Sequence, residues 1–343
     1  MSDRPMIGRL ATAILVIALL YFAQSFFVPL AFALFVIALV WPLQAALQRR
    51  MPKLIALLIT LSGTIFVIGA VGSLSAWGFG KLAQWLFLNA GRFQTIYRDW
   101  VAWLEEHGIA VVGPITDRFD VAWLLGFVQG IAGRLNSFTG FAVLVLIFVM
   151  LGLLEVDDFN ARLRQPGVQP FGEKMLRANR EIGHKLRRFM VVRSLASVLT
   201  GFVVWGFALL AGLELAAAWG AIALALNYIP FLGPLIATLF PTLFAIAQFE
   251  SWQMAVIVFI SLNIIQFVIG SYFEPLLSGA SLKISPFAVI FAVFFWTFLW
   301  GLAGAFIGVP ILIAFVIYCA QEPSSRWLAA LLSAGAPAKT EDP

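Results

Sequence analysis

The chain has 343 residues, of which 62% are hydrophobic and 11% are charged, and its mean hydropathy is +0.97. Soluble domains have about 45 to 50% apolar and about 25% charged residues, so this composition excludes a soluble globular protein and predicts an integral membrane protein. The formal net charge is +5, but the basic residues flank apolar segments, where the positive-inside rule explains them better than nucleic-acid binding does. The single cysteine, Cys319, excludes an internal disulfide and a cysteine metal site.

Two long apolar runs open the chain, which predicts an uncleaved membrane anchor rather than a signal peptide. We predict spans over residues 7 to 28 and 30 to 48, joined into a helical hairpin by a tight turn at Pro29. A basic cluster at residues 48 to 53 ends the second span and is predicted to face the cytoplasm. The third predicted span covers residues 54 to 79.

The middle of the chain contains a charge-balanced segment and a basic segment. Residues 80 to 137 combine tryptophans with charges of both signs, which predicts an amphipathic helical segment on the outer face; a ligand-capturing cap is the alternative. A fourth span is predicted at residues 138 to 155. The basic residues 156 to 193 are predicted to be cytoplasmic, with a polar helix from Gly172 to Arg193 that continues into a fifth span. That helix is either solvated at the anionic inner leaflet or moves with the transport core as a coupling helix.

The last third of the chain contains apolar segments that are too short to cross a hydrocarbon core of about 30 Å unaided. They form two pairs, residues 215–229 with 234–249 and residues 285–300 with 303–320, and one full span lies between the pairs at residues 252–273. Short halves around helix-breaking turns predict two re-entrant hairpins that enter from opposite sides. The predicted fold is an all-α polytopic membrane protein with about six full spans and two re-entrant hairpins. Eight or more full spans are the alternative.

Prolines and glycines mark the tips of both predicted hairpins. A break inside an apolar region leaves backbone donors and acceptors that lipid cannot pair, so each break needs protein or a wet cavity around it. This requirement predicts a substrate or ion pathway, with a structural kink or close packing through glycine as the alternative. The predicted tip residues are Asn227, Pro230, Gly233 and Pro234 in the first hairpin and Gly301, Gly304, Gly308 and Pro310 in the second.

A polar stripe follows the span between the two hairpins. Its residues are spaced by three, four and four positions, which places them on one helix face; they are Asn263, Gln266, Gly270 and Glu274. Because polar groups that face lipid are costly, the stripe is predicted to face water or other helices, either as part of the pathway or as simple interhelical bonds. Glu274 is predicted either to bind a proton, a sodium ion or a cationic group, or to form a static pair with Lys283 or another basic residue.

Enzyme activity is not indicated. The two histidines, His107 and His184, fall in segments that are predicted on opposite sides of the membrane, so they form no shared metal or general-base site. The sequence also has no phosphate-binding loop of the Walker type. We therefore predict no enzyme, no cofactor, no bound metal and no nucleic-acid partner, with H+ or Na+ as the coupling ion to consider.

Four sequence blocks in the last third of the chain carry a specific pattern. They are NYIPFLGP at residues 227–234, EPLL at 274–277, LKISP at 282–286 and GLAGAFIGVP at 301–310. In this order and spacing they resemble the autoinducer-2 exporter family of bacterial permeases. The resemblance implies an inner-membrane transporter without ATPase machinery; some members export autoinducer-2 and others exchange sodium or lithium for protons. It also implies a homo-oligomer, with a pentamer as one form. Ser278 departs from the methionine that many relatives carry, and the substrate stays open.

These observations lead to one leading hypothesis and several alternatives. We expect a secondary transporter that exports a small solute, of autoinducer-2 type or similar, coupled to H+ or Na+. The alternatives are a Na+(Li+)/H+ antiporter, a channel-like pore and a non-transporting membrane scaffold. The expected location is the bacterial inner membrane, with both termini cytoplasmic. The predicted organisation has three spans in residues 1–79, an outer segment in 80–137, a fourth span in 138–155, a basic segment in 156–193, a transport core in 194–320 and a cytoplasmic tail in 321–343.

Overall fold

A computed structural model describes residues 4–89, 121–278 and 284–333, together with residues 91, 92, 95, 102, 105 and 106. The described residues are 89% helical and form no β-strand. The expected all-α fold is confirmed. Much of the predicted outer segment and of the predicted tail lies outside the described residues, as does Lys283.

The helices follow the order that the hydropathy pattern predicts. They are α1 (Arg4–Phe22), α2 (Gln24–Gln48), α3 (Lys53–Leu88), α4 (Val121–Leu163), α5 (Phe171–Leu210), α6 (Ala216–Leu226), α7 (Leu232–Phe249), α8 (Trp252–Val268), α9 (Glu274–Ser278), α10 (Pro286–Gln321) and α11 (Arg326–Leu332). A 3-10 turn at Pro166–Val168 precedes α5, and a π-helical turn at Ile269–Phe273 joins α8 to α9. The predicted polar helix does continue into the fifth span, since α5 is one uninterrupted helix.

Seven helical segments within the described ranges are long and apolar enough to cross a membrane. They are Gln24–Gln48, Lys53–Leu88, Gly140–Leu163, Phe171–Leu210, Leu232–Phe249, Trp252–Leu277 and Pro286–Gln321. A spanning helix needs about 20 apolar residues, and most of these segments exceed that length. The protein is therefore a multi-pass membrane protein, as the composition predicts.

The break between the first two helices lies at Ala23, and the predicted turn at Pro29 is wrong. Ala23 has φ −98° and ψ 26° and is the only residue between α1 and α2, whereas Pro29 lies inside α2. The amide of Ala23 still donates to Leu19, and the amide of Phe27 donates to Ala23. Proline is tolerated within membrane helices because neighbouring groups bond the backbone atoms that it leaves unpaired. Pro29 therefore does not mark a helix end here.

A second proline in α2 shows how such a backbone atom is paired. Pro42 lies inside the helix and has no N–H, so the carbonyl of Ala38, four residues earlier, loses its helical donor. Arg187 of α5 supplies the replacement, with its Nη1 atom 2.8 Å from the Ala38 oxygen. Gly183, one turn before Arg187, is buried and would place a Cβ only 3.6 Å from that oxygen. The contact thus joins α2 to the N-terminal half of α5.

The chain forms two compact units. The first comprises Met1–Ile65, Phe141–Val191 and Ser278–Pro343, and the second comprises Phe66–Gly140 and Val192–Leu277. In the first unit, α2, α3 and α4 share a core, whose fully or largely buried members are Ala33, Val36, Leu57, Val145, Val149 and Leu153. In the second unit, α3, α5, α6, α7 and α8 share a core, whose buried members include Trp85, Val204, Trp219, Phe244, Val258 and Leu262.

The second predicted hairpin is present in the first unit as two antiparallel arms of α10. Gly301 has φ 62° and ψ −143°, a conformation outside the helical region that favours glycine. A Cβ added to Gly304 would overlap the carbonyl oxygen of Trp296, and one added to Gly308 would lie 3.0 Å from that of Ala292. Residues sixteen apart in a straight helix are separated by about 24 Å, so the arms must fold back at Gly301.

This geometry corrects the predicted composition of the second tip. Gly301 makes the turn, whereas Gly304, Gly308 and Pro310 lie in the second arm. Gly304 and Gly308 face the first arm, because their missing side chains let the two backbones approach. Gly304 and Gly308 therefore serve close packing of the two arms, which is the alternative to a pathway role at these positions.

The first predicted hairpin is present in the second unit as α6 and α7. Five residues separate the two helices, and Phe231, with φ 62° and ψ −54°, makes the sharp turn. Gly233 lies in the first turn of α7, where a Cβ would overlap the carbonyl oxygen of Leu226. With only 11 residues, α6 is about 16 Å long and too short to span the hydrocarbon core. The predicted break between the segments 215–229 and 234–249 is confirmed, and the structure places it at residues 227–231.

Candidate functional site

A polar face of α5 is the centre of the candidate site in the second unit. Arg193, Ser197 and Thr200 lie at positions i, i+4 and i+7 of this helix, so they share one face. Ser197 and Thr200 are both completely buried. Polar side chains inside an apolar helical unit are costly and require partners in the protein or a polar ligand.

Arg193 forms an ion pair with Glu274. Its Nη1 atom lies 2.6 Å from the Glu274 Oε1 atom, and the two side chains are only 12% and 25% exposed. The pair joins α5 to α9, 81 residues along the chain. The sequence predicts a pair of Glu274 with Lys283 or another basic residue, and the structure shows that Arg193 is such a partner.

The backbone on both sides of Glu274 departs from regular α-helix. The π-helical turn Ile269–Phe273 precedes it, and Pro275 follows it and cannot donate to Ser271. π-helical turns in helices often occur at functional sites, because the extra residue displaces the helical register. Glu274 is thus presented to Arg193 by a locally irregular segment.

Two residues at the tip of the first hairpin bond to α5 beside Arg193. Asn227 is 3% exposed, and its Nδ2 atom donates to the Ser197 Oγ at 3.2 Å. The Tyr228 hydroxyl donates to the Ser194 Oγ at 3.1 Å. The tip is therefore held against the polar face of α5 by neutral hydrogen bonds, one turn from the Arg193–Glu274 pair.

Thr200 continues this polar face into the unit. Its Oγ1 atom is buried and has no hydrogen-bond partner among the described residues. One residue further, Gly201 lies so close to α6 that an added Cβ would be 2.8 Å from the Leu224 Cβ and 3.0 Å from the Gly220 oxygen. An unpaired buried hydroxyl costs about 1 to 3 kcal/mol, which marks this position as one where a water molecule or a polar ligand group would be stabilising.

The predicted polar stripe does not reach this site as one continuous face. Asn263 is exposed, and its amide donates to the carbonyl of Phe259 in its own helix at 2.8 Å. Gln266 is half-buried and Gly270 is exposed. The π-helical turn explains the difference, because it changes the angle between residues before and after it. A pathway role for Asn263 and Gln266 stays a prediction.

The remaining predicted site residues divide between the two units. Asn227 and Glu274 both contact the polar face of α5 in the second unit. Pro230 lies in the turn of the same unit, and Gly233 and Pro234 lie in the first turn of α7. The four residues of the other hairpin, Gly301, Gly304, Gly308 and Pro310, belong to the first unit.

The residues of α5 that organise the site are not evident from the sequence. Arg193 looks like one more basic residue at the end of a cytoplasmic segment, and Ser194, Ser197 and Thr200 are ordinary small polar residues in a membrane helix. Their one detectable signal is helical spacing, which aligns Arg193, Ser197 and Thr200. Only the fold brings that face to Asn227 and Glu274.

A second polar network in the same unit holds the loop between α5 and α6 in place. The Glu214 carboxylate accepts a hydrogen bond from the Trp85 indole, and the Glu214 amide donates to the Gln248 Oε1 at 2.8 Å. Gln248 also donates to the Gly212 carbonyl at 2.7 Å. Trp85 is 7% exposed, although it belongs to the segment 80–137 that the sequence places at the membrane surface. The helix α3 continues past the predicted end of the third span and carries Trp85 into the core.

Comparison with known proteins places this architecture in one family. The model of the AI-2E family transporters matches residues 10–321. The AI-2 transport protein TqsA of Escherichia coli K12 is 27% identical over 332 residues, which cover 96% of this chain and 94% of TqsA. YrrI of Bacillus subtilis and YhhT of E. coli K12, whose names assign them provisionally to transport, are 25% and 24% identical over 309 and 339 residues. These matches cover 84% of both chains for YrrI, and 96% of this chain and 94% of the relative for YhhT. The chain belongs to the AI-2E family of transporters.

Proposed function

We propose that this protein is a secondary transporter that exports a small polar solute and couples the export to H+ or Na+ at Glu274. The observation that carries the proposal is the largely buried Arg193–Glu274 pair in an apolar unit. Ionisable residues inside membrane helices are expensive and usually mark substrate, ion or proton pathways. Neutral donors and acceptors at the tip of the first hairpin, Asn227 and Tyr228, lie beside this pair.

The first candidate substrate is an autoinducer-2-type signalling molecule. The relative TqsA is named as an AI-2 transport protein and matches this chain from end to end at 27% identity. That name supports the substrate class without extending to this chain's specificity. A Na+(Li+)/H+ antiporter is the second candidate, and the carboxylate of Glu274 favours it, because carboxylates exchange protons with hard cations readily.

We propose a role in transport for each hairpin within its own unit. Pro230, Gly233 and Pro234 shape the first tip, and Gly301 with Pro310 shapes the second hairpin. Broken helices of this kind present backbone carbonyls and helix ends to a substrate or ion in other secondary transporters. We propose that both hairpins are re-entrant, which the short arm α6 supports.

The proposed setting is the bacterial inner membrane, with both termini in the cytoplasm and the chain assembled as a homo-oligomer. The basic residues in the N-terminal half of α5 support the orientation, because positive charge concentrates on the cytoplasmic side. Exposed apolar side chains on many helices support contacts with lipid and with further copies of the chain.

Transport by purified protein in liposomes tests the proposal. Saturable export or counterflow of autoinducer-2, or of Na+ and Li+ against a pH gradient, is expected for the wild type. Glu274→Gln is expected to abolish the dependence on pH and on Na+. Glu181→Gln is the matched control, since Glu181 pairs with Lys185 on an exposed part of α5. Unchanged ion dependence in Glu274→Gln would refute the coupling role. Flux that does not saturate would favour a channel-like pore, and absence of any flux would favour a scaffold.

A further inference from the structure

We propose that Arg193 is a tethered competitor for the cation that binds Glu274, and that its guanidinium moves between Glu274 and the Asn227–Ser197 pair during the transport cycle. The inference rests on the proposed coupling at Glu274 and assigns the residue that controls it. Arg193 acts through Glu274 and is therefore a positioning residue.

The first step follows from the geometry of the ion pair. With 2.6 Å between the Arg193 Nη1 and the Glu274 Oε1, the guanidinium occupies one carboxylate oxygen to which a coupling cation would bind. Separating two buried charges without replacement is strongly unfavourable. Arg193 therefore leaves only when a proton or a metal cation takes over the negative charge of Glu274.

The second step is a place for the displaced guanidinium. Ser197 lies one turn along the same face of α5, about 6 Å from Arg193 along the helix axis. The Asn227 amide lies against Ser197, at the C-terminal end of α6. An amide oxygen, a hydroxyl and the negative end of a helix dipole are all acceptors for a cation. One turn further, Thr200 adds a buried hydroxyl oxygen without a partner among the described residues.

The third step is a backbone that lets Glu274 move. The π-helical turn Ile269–Phe273 contains one residue more per turn than an α-helix would, and Pro275 weakens the bonding on the other side. A return of this turn to α-helical bonding rotates Glu274 about the helix axis. The exchange thus couples the ion site to the hairpin tip, because Arg193 releases Glu274 as it binds Asn227.

Opposite substitutions at Asn227 give the sharpest test. Asn227→Asp makes the second place more attractive to Arg193, so the cation is expected to bind Glu274 more tightly. Asn227→Leu removes that place, so the cation is expected to bind more weakly. Arg193→Gln removes the competitor and is expected to lower the half-saturating cation concentration tenfold or more, with Arg193→Lys in between.

The measurement is the thermal unfolding midpoint of the full chain in detergent, in two titration series, called arms of the experiment. One series titrates NaCl against choline chloride, and the other varies pH in choline chloride, so the two series separate Na+ from H+. Opposite shifts of the half-saturating cation concentration for the two Asn227 variants in one series support the proposal and identify the cation. Shifts of the same sign, or an unchanged titration in both Arg193 variants, overturn it.

A charge-swapped variant keeps the test decisive if single variants fold poorly. Arg193→Glu combined with Glu274→Arg preserves the ion pair, so a purely structural role predicts a wild-type cation response. The proposal predicts an altered response, because the carboxylate now lies on α5. Wild-type protein that shows saturable flux but no response in either arm would refute ion coupling at Glu274 and leave transport itself standing.

Discussion

Trp300 donates a hydrogen bond from its indole Nε1 to the carbonyl oxygen of Leu20, with 3.0 Å between the two atoms. Leu20 lies in the last turn of α1, where carbonyls lack helical donors. Trp300→Phe removes the N–H and is expected to lower the free energy of unfolding by about 1 to 3 kcal/mol. Thermal or denaturant unfolding in detergent measures the change. Trp252→Phe, at a 62% exposed position, is the control, and an equal loss in both variants would contradict the anchoring role.

A side chain at Gly304 is expected to destabilise the second hairpin. Gly304→Ala would place its Cβ onto the carbonyl oxygen of Trp296, so the arms of the second hairpin must separate, at a cost of about 1 to 3 kcal/mol. Gly69 lies in α3 with nothing within 4 Å of an added Cβ, and Gly69→Ala is expected to be neutral or stabilising by up to about 1 kcal/mol. Unfolding midpoints of the two variants give the comparison. Equal midpoints would show that the hairpin arms do not depend on this contact.

The Arg193–Glu274 pair is expected to be replaceable for stability but not for transport. Arg193→Met removes one partner of a largely buried ion pair, which typically costs about 3 to 5 kcal/mol. Adding Glu274→Leu removes the other partner, and the double variant is expected to recover most of the lost stability. Unfolding and liposome flux are measured on the same preparations. Recovered flux in the double variant would contradict the functional role of the pair.

Thr200 and Ser197 are expected to respond in opposite ways to loss of their hydroxyls. Thr200→Val deletes an unpaired buried hydroxyl at nearly constant volume, so stability is expected to stay within about 1 kcal/mol or to rise. Ser197→Ala leaves the Asn227 amide without its acceptor and is expected to cost about 1 to 3 kcal/mol. Unfolding in detergent separates the two. A large loss in Thr200→Val would mean that an ordered water completes its bonding.

Arg187 and Pro42 are expected to be energetically coupled. Arg187→Met leaves the Ala38 carbonyl unpaired and is expected to cost about 1 to 3 kcal/mol. Pro42→Ala restores a helical donor to the same carbonyl, so the cost of Arg187→Met is expected to fall in that background. A double-mutant cycle on unfolding free energies measures the coupling. Strict additivity would show that Arg187 contributes through another contact.

The sequence predicts helix breaks where two signals agree. Short apolar segments and paired proline and glycine residues both point to a break between residues 229 and 234 and to one at Gly301, and both breaks occur, the first at residues 227–231. At Pro29 the proline is the only signal, and α2 continues through it. A lone proline is therefore a weak signal in a membrane helix, because neighbouring groups pair the backbone that it leaves open.

The candidate site is only partly readable from the sequence because its contacts are long-range. Asn227 and Glu274 stand out as polar residues beside prolines. Arg193 does not, since its partner lies 81 residues away and its neighbours form a basic cytoplasmic segment. Hydropathy and spacing describe one helix at a time, and neither signals the π-helical turn that displaces the polar stripe.

The glycine contacts limit how each hairpin moves. Gly233 against Leu226 and Gly304 against Trp296 bring backbone to backbone just beyond each turn. Because no side chains lie between the two backbones there, the arms cannot separate at the tip without losing this contact. We therefore expect the two arms next to each tip to move together, so a crosslink between them is expected to leave transport unchanged.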